Sequence, residues 1–310
     1  MIPNNEYYKE VEIDISTICN LKCPLCNRAD PKLYKNLNFF SEINLIENVI
    51  EKFPNIEKFN IGFLVCEPTL NPNLLDIIKL LKSENKTIMF STNGNTFCDN
   101  NSFWENLLIL FDEKDEVVWS LDGLDQETYE QYRIGGNINK IITNIKRVEK
   151  LFPKLKQRIQ FIKFKHNERD LGYLEQFKLE NNIKTSFDII ESNGKCSIVN
   201  ENSIVSPTWD YEKWLKIKKT VLKSKIINCE CLPERILFID AYGKIGFCLP
   251  QLTDSIKNGK PITVYDNIQC INEYIKESYQ NRFDNNICQF YCGNIMKEIK
   301  AKQNISSNYA

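Results

Sequence analysis

Residues 11–26 read VEIDISTICNLKCPLC, an apolar strand-like run that passes directly into a loop bearing Cys19, Cys23 and Cys26. Five later runs share the composition of that strand: EKFNIGFL (57–64), KTIMFST (86–92), EVVWSLD (116–122), RIQFIKF (158–164) and KTSFDII (184–190). Several are continuously apolar, as strands buried on both faces of a parallel sheet should be. Helical patterns fill the gaps. Ile43, Ile46, Val49, Ile50 and Phe53 recur at helical spacing behind Ser41, a residue type suited to capping. Pro72 opens a second helix with Leu74, Ile77, Ile78 and Leu81 along one face, and further helices are predicted over 102–111, 138–151 and 170–181.

Six β/α units in series predict an α/β fold with right-handed crossovers. Six is short of the eight of a closed barrel, so a partial (β/α)6 TIM-like barrel is expected, with its chemistry at the C-terminal ends of the strands. Periodicity fades over 191–210, and a helix is expected at about 211–225. RILFIDAYGKIGFC (235–248) then reads as a hairpin turning at Gly243. The expected division is residues 1–210 for the barrel and 211–310 for a small C-terminal domain.

With 42% hydrophobic and 26% charged residues, the composition is that of a globular protein with a sizeable core. The formal net charge of −1 supplies no overall basic field for nucleic acid or a membrane surface. The N-terminus MIPNNEYYKE is too polar for a secretory signal, and a cytoplasmic location is expected. In a reducing compartment, 12 cysteines point to metal or redox roles rather than disulfides. The single histidine, His166, makes histidine-based zinc sites and Ser–His–Asp catalysis poor fits. It is expected to be a hydrogen-bonding group beside the barrel mouth. Cys98 and Cys196 are expected to be inert thiols.

Cys19, Cys23 and Cys26 form a C-x3-C-x2-C loop. Three thiolates so spaced can hold three irons of a [4Fe–4S] cube and leave the fourth without a protein ligand. Sulfur ligands suit zinc as well, so a zinc knuckle is the competing reading. Its place after the first strand of a βα array, where a barrel's active site belongs, favours the cluster.

Here the chain resembles the radical S-adenosylmethionine superfamily. Val65-Cys66-Glu67-Pro68 stands where that family usually has G-G-E-P, with Cys66 in place of the second glycine. Ser91-Thr92-Asn93-Gly94 is similar to its S-T-N-G turn. Ser120-Leu121-Asp122-Gly123 matches a strand end whose polar groups meet the cofactor, and Tyr132-Arg133 with Gly135 and Gly136 resembles a Y-R-x-G-G element. Lys165-His166-Asn167-Glu168 also resembles that branch. The resemblance implies S-adenosylmethionine bound at the open iron and cleaved to methionine and a 5′-deoxyadenosyl radical. Glu67, Pro68, Asn93, Ser120, Asp122 and Arg133 would bind that cofactor. Glu67 would accept from the methionine amino group, and Arg133 would pair with its carboxylate.

From Cys231 the pattern is C-x11-G-x4-C through Gly243 to Cys248, followed by Cys288 and Cys292. It resembles the twitch form of the SPASM extension. The resemblance implies one auxiliary [4Fe–4S] cluster on Cys231, Cys248, Cys288 and Cys292, with a structural zinc site as the alternative. Cys229 would replace Cys231, donate a hydrogen atom or be structural, and Cys270 is unassigned. Because the first strand starts near residue 11, no leader-binding domain is expected. Oxidation of a small polar substrate, such as a sugar or cyclitol alcohol, is therefore expected ahead of peptide modification (epimerisation, crosslinking or residue oxidation). Asp122, Arg133, Asn167, Glu191 and Asp210 are plausible substrate contacts at the barrel mouth. An electron donor such as flavodoxin or ferredoxin is the expected partner, and a non-catalytic iron–sulfur or zinc scaffold is the alternative from another class.

Overall fold

The computed structural model describes residues 4–26, 28, 38–98, 100–191, 235–246 and 261–280. The chain divides into two units. The larger comprises Glu12–Glu47 and Glu57–Pro207, and the smaller comprises Met1–Val11, Asn48–Ile56 and Thr208–Ala310.

In the larger unit, β1 (Glu10–Ile13, of which Glu12 and Ile13 fall in this unit), β2 (Lys58–Ile61), β3 (Thr87–Thr92), β4 (Glu116–Ser120), β5 (Lys156–Lys163) and β6 (Ser186–Glu191) follow the runs read from sequence. They lie side by side in the order β6-β5-β4-β3-β2-β1. From β2 to β6 every pairing is parallel, with Phe59 opposite Ile88, Phe90 opposite Val117, Trp119 opposite Ile159 and Phe161 opposite Ile189. Parallel neighbours need a crossover between them, and the helices supply it. This unbroken sequential order is consistent with a partial TIM-like barrel. Phe59, Phe90, Trp119 and Phe161 are fully buried.

The helices are α1 (Ile43–Lys52), α2 (Leu74–Ser83), α3 (Asn101–Leu108), α4 (Gln126–Tyr132), α5 (Ile138–Leu151) and α6 (Leu174–Asn181). α2 buries Leu74, Ile77, Ile78 and Leu81, and α5 buries Ile138, Ile141, Ile142, Ile145 and Val148. These are the apolar stripes that a surface helix must cover. α1 starts at Ile43, and the Ser41 N–H is tied to the Ile15 carbonyl at 2.9 Å. α2 starts at Leu74 behind Asn73 rather than at Pro72. α4 lies where no helix is predicted. Its sequence, QETYEQY, is polar, and its start is set by the Asp125 carboxylate accepting from Thr128 N at 2.7 Å. Among the described residues, no helix is long and apolar enough to cross a membrane.

In the smaller unit, β7 (Ile236–Ile239) and β8 (Ile245–Gly246) pair antiparallel as the hairpin expected around Gly243. Gly243 has φ +78°, in the left-handed region that glycine enters without strain. A helix absent from the sequence reading, α7 (Ile268–Gln280), carries Cys270 on its exposed side. Cys196, Asp210, Cys229, Cys231, Cys248, Cys288, Cys292 and the helix expected at 211–225 lie outside the described residues.

The hairpin turn is built on Asp240, whose Oδ1 accepts from the N–H groups of Tyr242 and Lys244, both at 2.9 Å. Its Oδ2 is buried without a hydrogen-bond partner. Burial pushes this carboxyl up from 3.8 to about 6, against the pull of Lys244 and the turn N–H groups. A carboxyl whose native pKa exceeds its unfolded value takes up a proton on folding. Its ionisation then costs stability as pH rises through that interval. At 1.36 kcal/mol per unit, Asp240 should remove about 3 kcal/mol by neutral pH, with no cost at acid pH where both states are protonated. Asp240→Asn should abolish this contribution. Denaturant midpoints of the two proteins across that range should diverge, and parallel curves would contradict it.

Candidate functional site

The loop that follows β1 is anchored before it reaches its cysteines. Thr17 N donates to the Phe39 carbonyl and Thr17 Oγ1 accepts from Phe39 N, at 2.9 and 3.1 Å. Arg28 Nε closes on the Thr17 carbonyl at 2.9 Å. Two bonds then tie the loop to other segments: Glu67 N, after β2, to the Ile18 carbonyl at 2.8 Å, and Lys22 N to the carbonyl of Ile134, after α4, at 3.0 Å. Cys23, Leu21, Tyr132 and Phe164 form one buried cluster, against which Cys19, Leu25, Cys26 and Ile162 pack. The C-x3-C-x2-C loop thus meets the ends of α4 and β5.

The thiols feel one another. Burial pushes Cys19 up to about 11, and the nearby Glu67 carboxylate adds to the effect. Burial pushes Cys26 up to about 12, with Cys23 next in effect, and raises Cys23 as well. Buried thiols of this kind stay protonated until a cation compensates the charge. Donors are already directed at the sulfurs: Leu21 N at 3.4 Å and Asn93 Nδ2 at 3.7 Å from Cys19 Sγ, and Arg133 Nη1 at 3.7 Å from Cys23 Sγ. N–H groups of this sort stabilise thiolates and are one of the ways a protein tunes an iron–sulfur cluster. Among the described residues, no group of three or more His, Cys, Asp or Glu side chains is placed to hold a single metal ion. A four-iron cube spreads its thiolates wider than one ion does, and an all-sulfur donor set with N–H support fits it.

Glu67, at the end of β2, is almost wholly buried. Its Oε1 accepts from Thr69 N, Thr69 Oγ1 and Thr92 Oγ1 at 3.3, 2.6 and 2.7 Å, and its Oε2 accepts from Asn93 N at 2.7 Å. Expected at the methionine amino group, the carboxylate is thus already engaged by four protein donors, and it joins the ends of β2 and β3. Pro68 closes over Gly62. A Cβ on Gly62 would lie 2.5 Å from the Ser91 carbonyl and 2.9 Å from the Pro68 ring. Asn93 Nδ2 also donates to Asn20 Oδ1 at 2.8 Å, which places it beside the cysteine loop. Cys66 points away from this network. Its Sγ donates to Asp14 Oδ1 at 3.4 Å, and Asp14 also receives Val65 N at 2.8 Å.

Ser120 ends β4 and is buried, and the Asp122 side chain beyond it is fully buried. Asp122 Oδ1 accepts from Ile162 N at 2.6 Å, and Oδ2 accepts from Arg133 Nε at 2.5 Å. Expected at the methionine carboxylate, Arg133 is therefore paired inside the protein. Gly123 sets this spacing, because a Cβ there would lie 2.4 Å from Tyr129 N and 2.6 Å from Tyr129 Cα. Asn167 fixes the end of β5, donating to the Asp122 and Ile162 carbonyls at 3.0 and 2.8 Å. His166 stacks on Phe164, with ring centroids 5.5 Å apart.

Other residues that position the site carry no motif. Asn144 Nδ2 donates to the carbonyls of Gly94 and Thr96, both at 3.0 Å, and Arg147 donates to those of Phe97 and Cys98 at 3.3 and 2.5 Å. Both lie on α5 and clamp the loop that presents Asn93. Buried Asp14 and Asn144 are polar residues beside apolar neighbours in sequence, which is the signal by which they could have been found.

A single substitution probes the Glu67 hub. Glu67→Gln puts an amide N–H where a carboxylate oxygen receives protein donors, so one of them loses its acceptor. Urea unfolding should show a loss of about 1–3 kcal/mol, the usual cost of a buried polar group left unpaired. A change within error would mean that the network does not hold the strand ends.

Residues 13–170, just over half of the chain, match the sequence profile of the radical SAM superfamily. Two curated proteins are related in sequence. The GTP 3′,8-cyclase of Limosilactobacillus fermentum is 25% identical over 176 residues, and that of Lactiplantibacillus plantarum is 26% identical over 178. Each match takes in 54% of this chain and 50% of the relative, so the chain spans about half the length of the curated relatives it matches. Among solved structures, SuiB of Streptococcus suis bound to precursor peptide SuiA superposes with a TM-score of 0.60 at 17% identity, over 86% of this chain and 65% of SuiB. His-tagged anSMEcpe with bound AdoMet gives 0.59 at 17% identity, over 89% of this chain and 79% of that one. These likenesses are of fold. The profile match, over the strand ends just described, is one of family: the chain belongs to the radical SAM superfamily and is a radical SAM enzyme, working with a [4Fe–4S] cluster and S-adenosylmethionine.

Proposed function

We propose that Cys19, Cys23 and Cys26 hold the catalytic [4Fe–4S] cluster, and that the enzyme uses it to modify a peptide. One observation carries the first part: Cys23 is buried in the apolar cluster at the ends of α4 and β5, and the partly buried Cys19 and Cys26 pack against that cluster. When bound, the cluster and S-adenosylmethionine supply hydrogen-atom abstraction from a C–H bond. The chain's own residues do the rest. Leu21, Leu25, Tyr132, Ile162 and Phe164 keep water from the thiols, which strengthens every polar interaction there. Glu67, Pro68 and Asn93 fix the cofactor wall at the ends of β2 and β3, and Ser120, Asp122 and Arg133 fix it beyond β4.

Peptide modification is supported by the solved folds that the chain resembles. SuiB was seen with its precursor peptide SuiA, and anSMEcpe with a Cp18Cys peptide at a TM-score of 0.56 over 89% of this chain. The GTP 3′,8-cyclases favour a second reading, a small polar substrate, but their match takes in only half of each relative. An auxiliary cluster on Cys231, Cys248, Cys288 and Cys292 belongs to the proposal, as do Cys229 as a hydrogen donor and a flavodoxin or ferredoxin as electron source.

Anaerobically reconstituted protein should carry ~8 Fe per chain if both clusters form, and ~4 Fe if only the first does. With dithionite and S-adenosylmethionine it should release 5′-deoxyadenosine, and Cys19→Ala, Cys23→Ala and Cys26→Ala should each abolish release. Peptides encoded beside its gene should then show a mass change, or deuterium uptake from deuterated water. Turnover of GTP or a cyclitol, with no peptide altered, would decide for the small-substrate reading.

A further inference from the structure

The pairing of Arg133 with Asp122 is unusual in what it leaves over. A guanidinium and a carboxylate often meet through two parallel N–H···O bonds. Here Ile162 N occupies Asp122 Oδ1, and the pair uses only Nε and Oδ2. The Nη1 end of the fork is left to face Cys23 Sγ, 3.7 Å away. The guanidinium also lies 5.1 Å from the centre of the Tyr132 ring, which packs against the same cysteine. The Asp122 side chain is fully buried and that of Arg133 is 14% exposed. Burying an ion pair is costly, and the cost is recovered only when the donors and acceptors left over also find partners. The backbone fixes the aim as well. Arg133 N donates to the Tyr129 carbonyl at 2.9 Å, and Gly136 N to the Arg133 carbonyl at 2.8 Å.

We propose that Arg133, aimed by Asp122, donates Nη1–H to the cluster-bound Cys23 thiolate and thereby sets the cluster's reduction potential. The inference rests on Cys23 being a cluster ligand. A positive donor beside a thiolate stabilises the reduced, more negative cluster, so its removal makes reduction harder. Arg133 reaches Cys23 Sγ directly through Nη1, whereas Asp122 meets the guanidinium at Nε. Removing the pair together should therefore act in the same direction as removing Arg133 alone, but less strongly. Arg133 is a tuning residue in this role, acting through Cys23.

The test is a dithionite redox titration of the anaerobically reconstituted full chain, without S-adenosylmethionine, followed by the electron paramagnetic resonance signal of the reduced cluster. The N-terminal cluster is isolated by carrying Cys288→Ala and Cys292→Ala in every sample. Arg133→Gln should keep its iron and shift the midpoint to more negative potential, and Arg133→Lys should fall between it and the parent. If Arg133→Gln fails to fold because Asp122 is left unpaired, the Asp122→Asn/Arg133→Gln double variant should still show the negative shift. An unchanged midpoint in a variant that keeps its iron overturns the proposal. So does a shift seen only once S-adenosylmethionine is added, because Arg133 would then act on the cofactor. A Cys23→Ala protein that keeps all its iron would instead remove the ligand assignment beneath the proposal, a result distinct from either.

Discussion

A carboxylate sealed from water holds the catalytic end of the sheet together. Glu67 accepts from Thr69, Thr92 and Asn93, and its own N–H reaches the Ile18 carbonyl just before the first cysteine. A buried polar network of this kind is favourable only when it is complete. The ends of β2 and β3 and the start of the cysteine loop are therefore held as one piece. Asp122 plays the matching part further along, tying the chain beyond β4 to β5 and to the segment after α4. Cys19 feels the charge of the first acid and Cys23 that of the second.

The two acids differ in what they receive, and the difference has chemical meaning. Glu67 collects only neutral donors, hydroxyls and backbone N–H groups, and burial pushes its pKa upward. Asp122 faces a full positive charge, and Arg133 is held well above its ordinary range by Asp122 and Cys23 even though burial works against its charge. One side of the site is a carboxyl held by uncharged donors. The other carries a buried cation next to sulfur. The cation beside sulfur thus lies on the β4–β5 side, while Glu67 ties the strand ends on the β2–β3 side.

Much of this is legible in the sequence because it rests on local pattern. Continuous runs such as EVVWS and TIMFS have one way to avoid water in a chain that alternates with amphipathic helices, and β3 and β4 lie on them. The C-x3-C-x2-C loop and the strand-end motifs are likewise short and contiguous. What was missed depends on partners far along the chain. QETYEQY has no apolar stripe, and its helix forms because Thr128, Tyr129 and Tyr132 are buried by the fold. The Asn144 and Arg147 contacts with the loop after β3 join residues about fifty positions apart. No spacing rule announces them. The Arg133 fork could be placed near the cofactor from its motif, but its division between Asp122 and Cys23 depends on Ile162 N taking the other oxygen.

Gly123 carries a final consequence. The chain leaving β4 presses so closely on the backbone of Tyr129 that even a methyl group would collide with it. α4 is therefore seated directly on the strand end, with no slack between Asp122 and the guanidinium at the helix terminus. Lengthening or shortening this segment by one residue would rotate that terminus by about 100°, since a helix turns through 3.6 residues, and would carry the cation away from sulfur. In this stretch the number of residues is constrained as tightly as their identity.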